Sequence, residues 1–249
     1  MHPLVPVLAA EADVAAARQL ACYFQVRPGG YGEGDEFLGV RLSRLRVLAR
    51  PYTAASFEPG DWAELLDSPL HEHRLIALVV MSQRAKRLLR RPEPDDELTR
   101  LVDTYLAHTS SINNWDLVDV SAGPVLGGSL LDRERRLLDG DRSVLDRLAR
   151  SPSLWERRIA MVSTQQLIAA GQDGDVYRLA ELLLADPEDL IHKAVGWMLR
   201  EAGVRVDVTR LRRFLDAHAR EMPRTMLRQA IERFAPLERQ QYLSVGHER

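Results

Sequence analysis

The chain has 249 residues, enough for one large domain or two small ones with a real core. Hydrophobic residues make up 45% and charged residues 28%, the balance of an ordinary globular protein. The longest apolar runs, such as 76–81, fall far short of the roughly 20 residues a spanning helix needs. The single cysteine, Cys22, excludes a disulfide framework and a thiolate metal site, so a cytoplasmic protein is expected.

The formal net charge of −2 argues at first against a nucleic-acid partner, but the charges are unevenly distributed. Basic residues crowd 41–50, 84–91 and 200–233, and acidic ones crowd 93–97 and 181–189. That segregation is compatible with one basic face, although solvated helix faces are the commoner cause of such runs. Lys86 and Lys193 are the only lysines, so almost every cation is an arginine, a bidentate phosphate donor and also a product of GC-rich coding.

In chain order, the N-terminal MHPLVPVLAAEADVAAA lacks a basic leader, and Glu11 and Asp13 interrupt its apolar run, so a signal peptide is not expected. The stretch RPGGYGEGDEFLG at 27–39 follows no strand and precedes no Lys-Ser/Thr pair, which excludes a phosphate-cradling loop. It reads as a loop between helices, with Asp35 expected to cap the next one. Apolar residues then recur at three and four positions in 70–91, 97–108, 154–170 and 176–184, the period of a helix. Breakers separate the runs: Pro51, Pro69, Pro92 and Pro94, Gly123-Pro124, Pro152, Gly171, Pro187, Gly203, Pro223 and Pro236. No segment alternates as a strand does. An all-α chain of about ten to twelve short helices is expected, with helix pairs recurring at roughly 35–45 residues. Such a repeat favours an α-solenoid, one continuous domain over 1–249 with a concave face.

The chemistry-bearing candidates are few. In NNWDLVD at 113–119, Trp115 and Asp119 stand four apart and share a helix face. Asn113 is the expected N-cap, with Leu117 and Val118 pointing inward. The pair is either a half-buried Trp beside a solvated carboxylate or an aromatic, anionic site for something cationic. His71-Glu72-His73 resembles a metal set only superficially, since positions two apart face different ways on a helix and HExxH is absent; no metal and no cofactor are expected. No nucleophile elbow exists, and Cys22 has no nearby histidine in sequence. In LWERRIAM, Trp155 and Arg158 share a face while Arg157 points elsewhere; in AVGWMLRE, Trp197 follows a glycine that permits close helix approach.

Taken in order, MHPLVPVL, YGEGDEFLGVR, HEHRLIAL, NNWDLVD, LWERRIAM and KAVGWMLRE resemble the AlkD-like bacterial DNA alkylation repair glycosylases, to about residue 203. The resemblance implies HEAT-like repeats curved around duplex DNA and hydrolysis of the N-glycosidic bond of cationic N3- or N7-alkylated purines. It implies catalytic roles for Trp115, Asp119 and Trp197, a DNA contact for Arg158, and weaker matches at Tyr23 and Arg41. It also implies backbone-side engagement of the damaged nucleotide, where most glycosylases flip the base into a pocket. Two departures stand out: Asn114 replaces a second Trp, and Arg41 replaces an expected amide residue after FLG. With the arginine-rich composition, these point to bulky minor-groove adducts of natural-product alkylators as further substrates, a self-resistance role.

The expected partner is therefore double-stranded DNA carrying alkylated purines, with no membrane and no obligate protein partner, in a monomer associated with the nucleoid. The lysines lie outside the chemistry-bearing motifs, so no Schiff-base lyase step is expected. A non-catalytic DNA-structure binder and a helical scaffold for proteins remain as alternatives. Salt-sensitive DNA binding separates the last from the others, because phosphate contacts release counterions.

Overall fold

The computed structural model describes residues 1–54, 57–91, 96–135 and 141–245. The expected breakers Pro92 and Pro94, and the acidic Glu93 and Asp95, lie outside the described residues. Within them the chain is all-α, as the periodicity predicts, and the only β feature is an isolated bridge between Glu36 and Leu70. It divides into two compact units, Met1–Val125 and Leu126–Arg249.

The first unit contains α1 (Leu4–Ala10), α2 (Val14–Tyr23), α3 (Leu42–Ala49), α4 (Pro59–Leu66), α5 (His71–Leu88), α6 (Asp96–Ala107) and α7 (Trp115–Ala122). The second contains α8 (Gly128–Arg135), α9 (Ser143–Ala149), α10 (Leu154–Ala169), α11 (Gly174–Leu182), α12 (Asp189–Arg205), α13 (Val208–His218), α14 (Arg224–Ala230) and α15 (Pro236–Ser244). These fifteen helical segments exceed the ten to twelve expected because pieces as short as α9 and α14, seven residues each, are too brief to show a period.

Helix starts follow local chemistry. The Asp13 carboxylate accepts from the amides of Ala15 and Ala16 at 2.9 and 3.1 Å, and Ser153 opens α10 by accepting from the Glu156 amide. At α7 the cap is Asn114, whose side chain accepts from the Trp115 amide at 2.8 Å, and not Asn113 as the sequence suggested. The expectation missed by one residue because either asparagine can supply the acceptor; the extended backbone at 114 decides it.

In the first unit α5 is the centre, packing against α1, α3, α4, α6 and α7. Over 71–82 it is buried on all sides, including its polar first turn His71-Glu72-His73-Arg74. In the second unit α10 and α12 pack together; α10 also meets α8, α9 and α11, and α12 meets α11, α13 and α14. Gly196 explains the last contact, since a Cβ there would lie 2.4 Å from the Met226 carbonyl oxygen of α14. The close approach expected beside Trp197 is thus present.

Candidate functional site on helix α7

Helix α7 sorts its residues as the sequence predicts. Leu117 and Val118 are fully buried, while Trp115 and Asp119, one turn apart, lie on a half-buried flank. The Trp115 indole N–H donates to the Tyr31 hydroxyl at 3.2 Å, and that hydroxyl donates to the Tyr23 carbonyl at 3.2 Å. The Tyr23 ring meets the indole edge to face, centroids 5.9 Å apart, and Phe24 lies 5.3 Å away on a tilted face. Tyr23 itself is 63% exposed, so the aromatic group opens to solvent. The indole is therefore fixed by a hydrogen bond and two rings, with an adjacent carboxylate at Asp119. Asp119 also makes its field felt on Tyr105, whose pKa is raised chiefly by burial, against an opposing Ser121 hydrogen bond, with the Asp119 charge adding to the rise.

Behind this flank lies a buried polar cluster that sequence reasoning missed. His71 Nδ1 sits 2.9 Å from one oxygen of Asp35, and its Nε2 sits 2.9 Å from Asp116, the second residue of α7. Arg74 donates to the other Asp35 oxygen at 2.5 Å and to the Ser68 carbonyl at 2.6 Å. Phe37 stacks on the imidazole at 4.6 Å and Phe24 tilts against it at 5.1 Å. Asp35, expected to cap a helix, is instead this cluster's buried carboxylate. The pairing joins residues 36 and 45 positions apart, which no local spacing rule reveals. Glu72 turns the other way, accepting from the amides of Leu38, Gly39 and Val40 at 2.9, 2.7 and 3.0 Å. Gly39 has φ +92° and a Cβ there would strike the Asp13 carbonyl oxygen, so the loop can pass only with glycine.

Burial alone pulls the His71 pKa down, but the hydrogen bonds and charges of Asp116 and Asp35 outweigh it and raise the pKa to about 9. Asp35 in turn is held below the usual carboxylate range, because His71 and Arg74 overcome its own burial. The linkage has a definite sign. A folded-state pKa above the unfolded 6.5 stabilises the fold fully below pH 6.5, and that contribution disappears as pH rises through 9. Unfolding free energy is expected to fall by about 3 kcal/mol over that window. Urea titrations at pH 6.5, 8 and 9.5 check it; a flat profile would contradict the clamped imidazolium.

The remaining expected residues are placed as follows. Arg41, exposed, precedes α3 and gives its N-terminal carbonyl to Arg44 and Leu45. Asn114 is fully buried and caps the start of α7. In the second unit, Arg158 is only 5% exposed and donates from Nη1 to the Leu190 carbonyl at 2.7 Å, while Arg157 pairs with Asp186 at 2.6 Å. Trp197 is half-buried on α12. Several arginines of the basic runs pair with acids: Arg44 with Glu11, Arg84 and Arg91 with Glu97, Arg200 with Glu232, Arg205 with Glu201, Arg210 with Asp173 and Arg212 with Glu238. Part of the arginine content therefore ties helices together. Among the described residues no helix is long and apolar enough to cross a membrane, and no group of three or more His, Cys, Asp or Glu side chains is arranged to hold a metal ion.

The curated proteins contain no match to the chain. Among solved structures, the fold is similar to that of a "Predicted DNA alkylation repair enzyme from Enterococcus faecalis", at TM-score 0.68 and 14% identity, covering 90% of this chain and 97% of that one. At that identity the likeness shows the fold alone. The family model described as DNA alkylation repair enzyme matches residues 5–234, from within α1 to just past α14. With nearly the whole length matched, the chain belongs to the DNA alkylation repair enzyme family.

Proposed function

We propose that the protein is a monofunctional DNA glycosylase that hydrolyses the N-glycosidic bond of cationic N3- and N7-alkylated purines in duplex DNA, without flipping the base. The observation that carries this reading is the Trp115–Asp119 pair, an oriented indole and a carboxylate side by side on one accessible flank. An alkylated purine is already positively charged, and as its bond to the sugar breaks, the positive charge moves to the deoxyribose. A carboxylate stabilises that oxocarbenium character and orients or deprotonates the attacking water, as carboxylates do at other glycosidic bonds. The indole face attracts the cationic nucleotide by about 0.5–2 kcal/mol, according to how fully the contact excludes water. No acid is needed, because the alkylated base departs neutral.

Tyr23 extends the aromatic surface from the first unit. Arg158 and Trp197 are assigned, from the resemblance, to a DNA phosphate and to a second nucleotide face. The same resemblance supports HEAT-like repeats as the DNA-binding architecture. The extension to bulky minor-groove adducts rests on the Asn114 and Arg41 departures together with the arginine-rich composition.

A duplex with a single 7-methylguanine tests the proposal. Wild-type protein is expected to convert it to an alkali-cleavable abasic site, and to bind with an affinity that falls steeply with salt. Binding without abasic sites would favour a non-catalytic DNA-structure binder and overturn the proposal.

A further inference from the structure

We infer that His71 is a positioning residue for the proposed glycosylase site: clamped between Asp35 and Asp116, it fastens the first turn of α7 to the 31–37 loop and thereby sets Trp115 and Asp119. The inference rests on the glycosylase reading only for its effect on catalysis. The clamp itself stands on geometry.

Both imidazole nitrogens face carboxylate oxygens at 2.9 Å. A neutral imidazole carries one N–H, and would leave a lone pair against a carboxylate at hydrogen-bond distance. Only the doubly protonated ring satisfies both contacts. The ring cannot swing away, because Phe37 and Phe24 wall it at 4.6 and 5.1 Å and Arg74 fixes the far carboxylate. The charged groups facing it are Asp35 from the loop, Asp116 from α7 and Arg74 from its own helix; Phe24 and Phe37 bring no charge, and Glu72 is committed to the amides of 38–40. Two carboxylates, one guanidinium and one imidazolium make a neutral, buried quartet, which breaking any one member unbalances.

Two tethers then run from the start of α7 to the same loop. Asp116 is held through His71 and Asp35, and Trp115 is held through Tyr31. Phe24 touches both the imidazole and the indole, so a shift of one ring is felt by the other. Loss of the His71 proton removes one hydrogen bond of the clamp, and the first turn of α7 is the element released. Catalytic groups need placement within a fraction of an ångström, so this release costs rate more than binding.

Proton NMR of the full chain tests the clamp without reference to activity. Downfield imidazole N–H resonances are expected at pH 7, lost with a midpoint near 9. The Trp115 indole N–H, identified by its absence in Trp115→Phe, is expected to shift with the same midpoint. In Asp116→Asn, which keeps the shape but removes one charge, the midpoint should fall by about one unit or more, and the Trp115 signal should follow it. In single-turnover base release, His71→Gln is expected to lose about tenfold in rate with the duplex Kd held within about threefold. The wild-type rate should decline through pH 9, and that of Asp116→Asn at lower pH. A Trp115 signal indifferent to the His71 titration, or an Asp116→Asn midpoint equal to the wild type's, overturns the inference even if base release proceeds. Absence of base release by wild type overturns the glycosylase reading instead, and leaves the NMR result to decide the clamp.

Discussion

Replacing Asp119 by Asn is expected to slow base release by about 10²–10³-fold while leaving duplex affinity close to wild type. The substitution preserves size and half-burial and removes only the negative charge. If that charge stabilises the developing oxocarbenium, its loss is felt in the transition state and little in the ground state, so the rate falls and binding holds. Folding should survive, because Leu117 and Val118 on the opposite face supply the packing of α7. Tyr105 stays neutral in both forms, since burial is the larger cause of its raised pKa. Single-turnover rates and anisotropy titrations on the same duplex measure the two quantities. Equal rates would remove Asp119 from its role.

Glu72→Ala is expected to cost about 3–5 kcal/mol of stability, a large share of the roughly 5–15 kcal/mol that holds a native fold. Glu72 is 1% exposed and is the acceptor for three consecutive amides, at 38, 39 and 40. Truncation leaves those donors without their partner in a site where Gly39 already binds the loop closely to α2. An unsatisfied buried amide costs roughly 1–3 kcal/mol. Glu72→Gln should fall between, because its carbonyl oxygen can still accept while its NH2 meets another donor. Urea unfolding midpoints check the order wild type, Gln, Ala. A wild-type midpoint in the alanine variant would show that the amides find other acceptors.

These two carboxylates also show what was legible in the sequence. Asp119 was readable because a helix converts a spacing of four into a shared face, and the apolar Leu117 and Val118 indicate which side is inward. Helices α5, α6, α10 and α11 were readable for the same reason, and so was Gly196 as a point of close approach. Glu72, Asp35 and His71 were not. Their partners come from a loop and from α7, brought together by tertiary packing, and HEH in isolation suggests a metal set or a solvated turn. The misplacement of the N-cap by one residue has a local cause, since either asparagine can supply the acceptor and only the extended backbone at 114 selects it. The arginine runs were ambiguous in sequence because an ion pair and a phosphate contact use the same residue; the partners of Arg84, Arg210 and Arg212 resolve those cases toward helix tethers.

Repair of an alkylated purine can end in three products: the free alkylated base, the restored base with the alkyl group removed, or an excised nucleotide. Mass spectrometry of the small-molecule fraction, after incubation with a duplex bearing a single 7-methylguanine, distinguishes them directly. The account predicts free 7-methylguanine in proportion to abasic sites, a sharp reduction with Asp119→Asn, and no enzyme–DNA complex trapped by borohydride. Restored guanine in the strand, or 7-methylguanine released as a nucleotide, would contradict it.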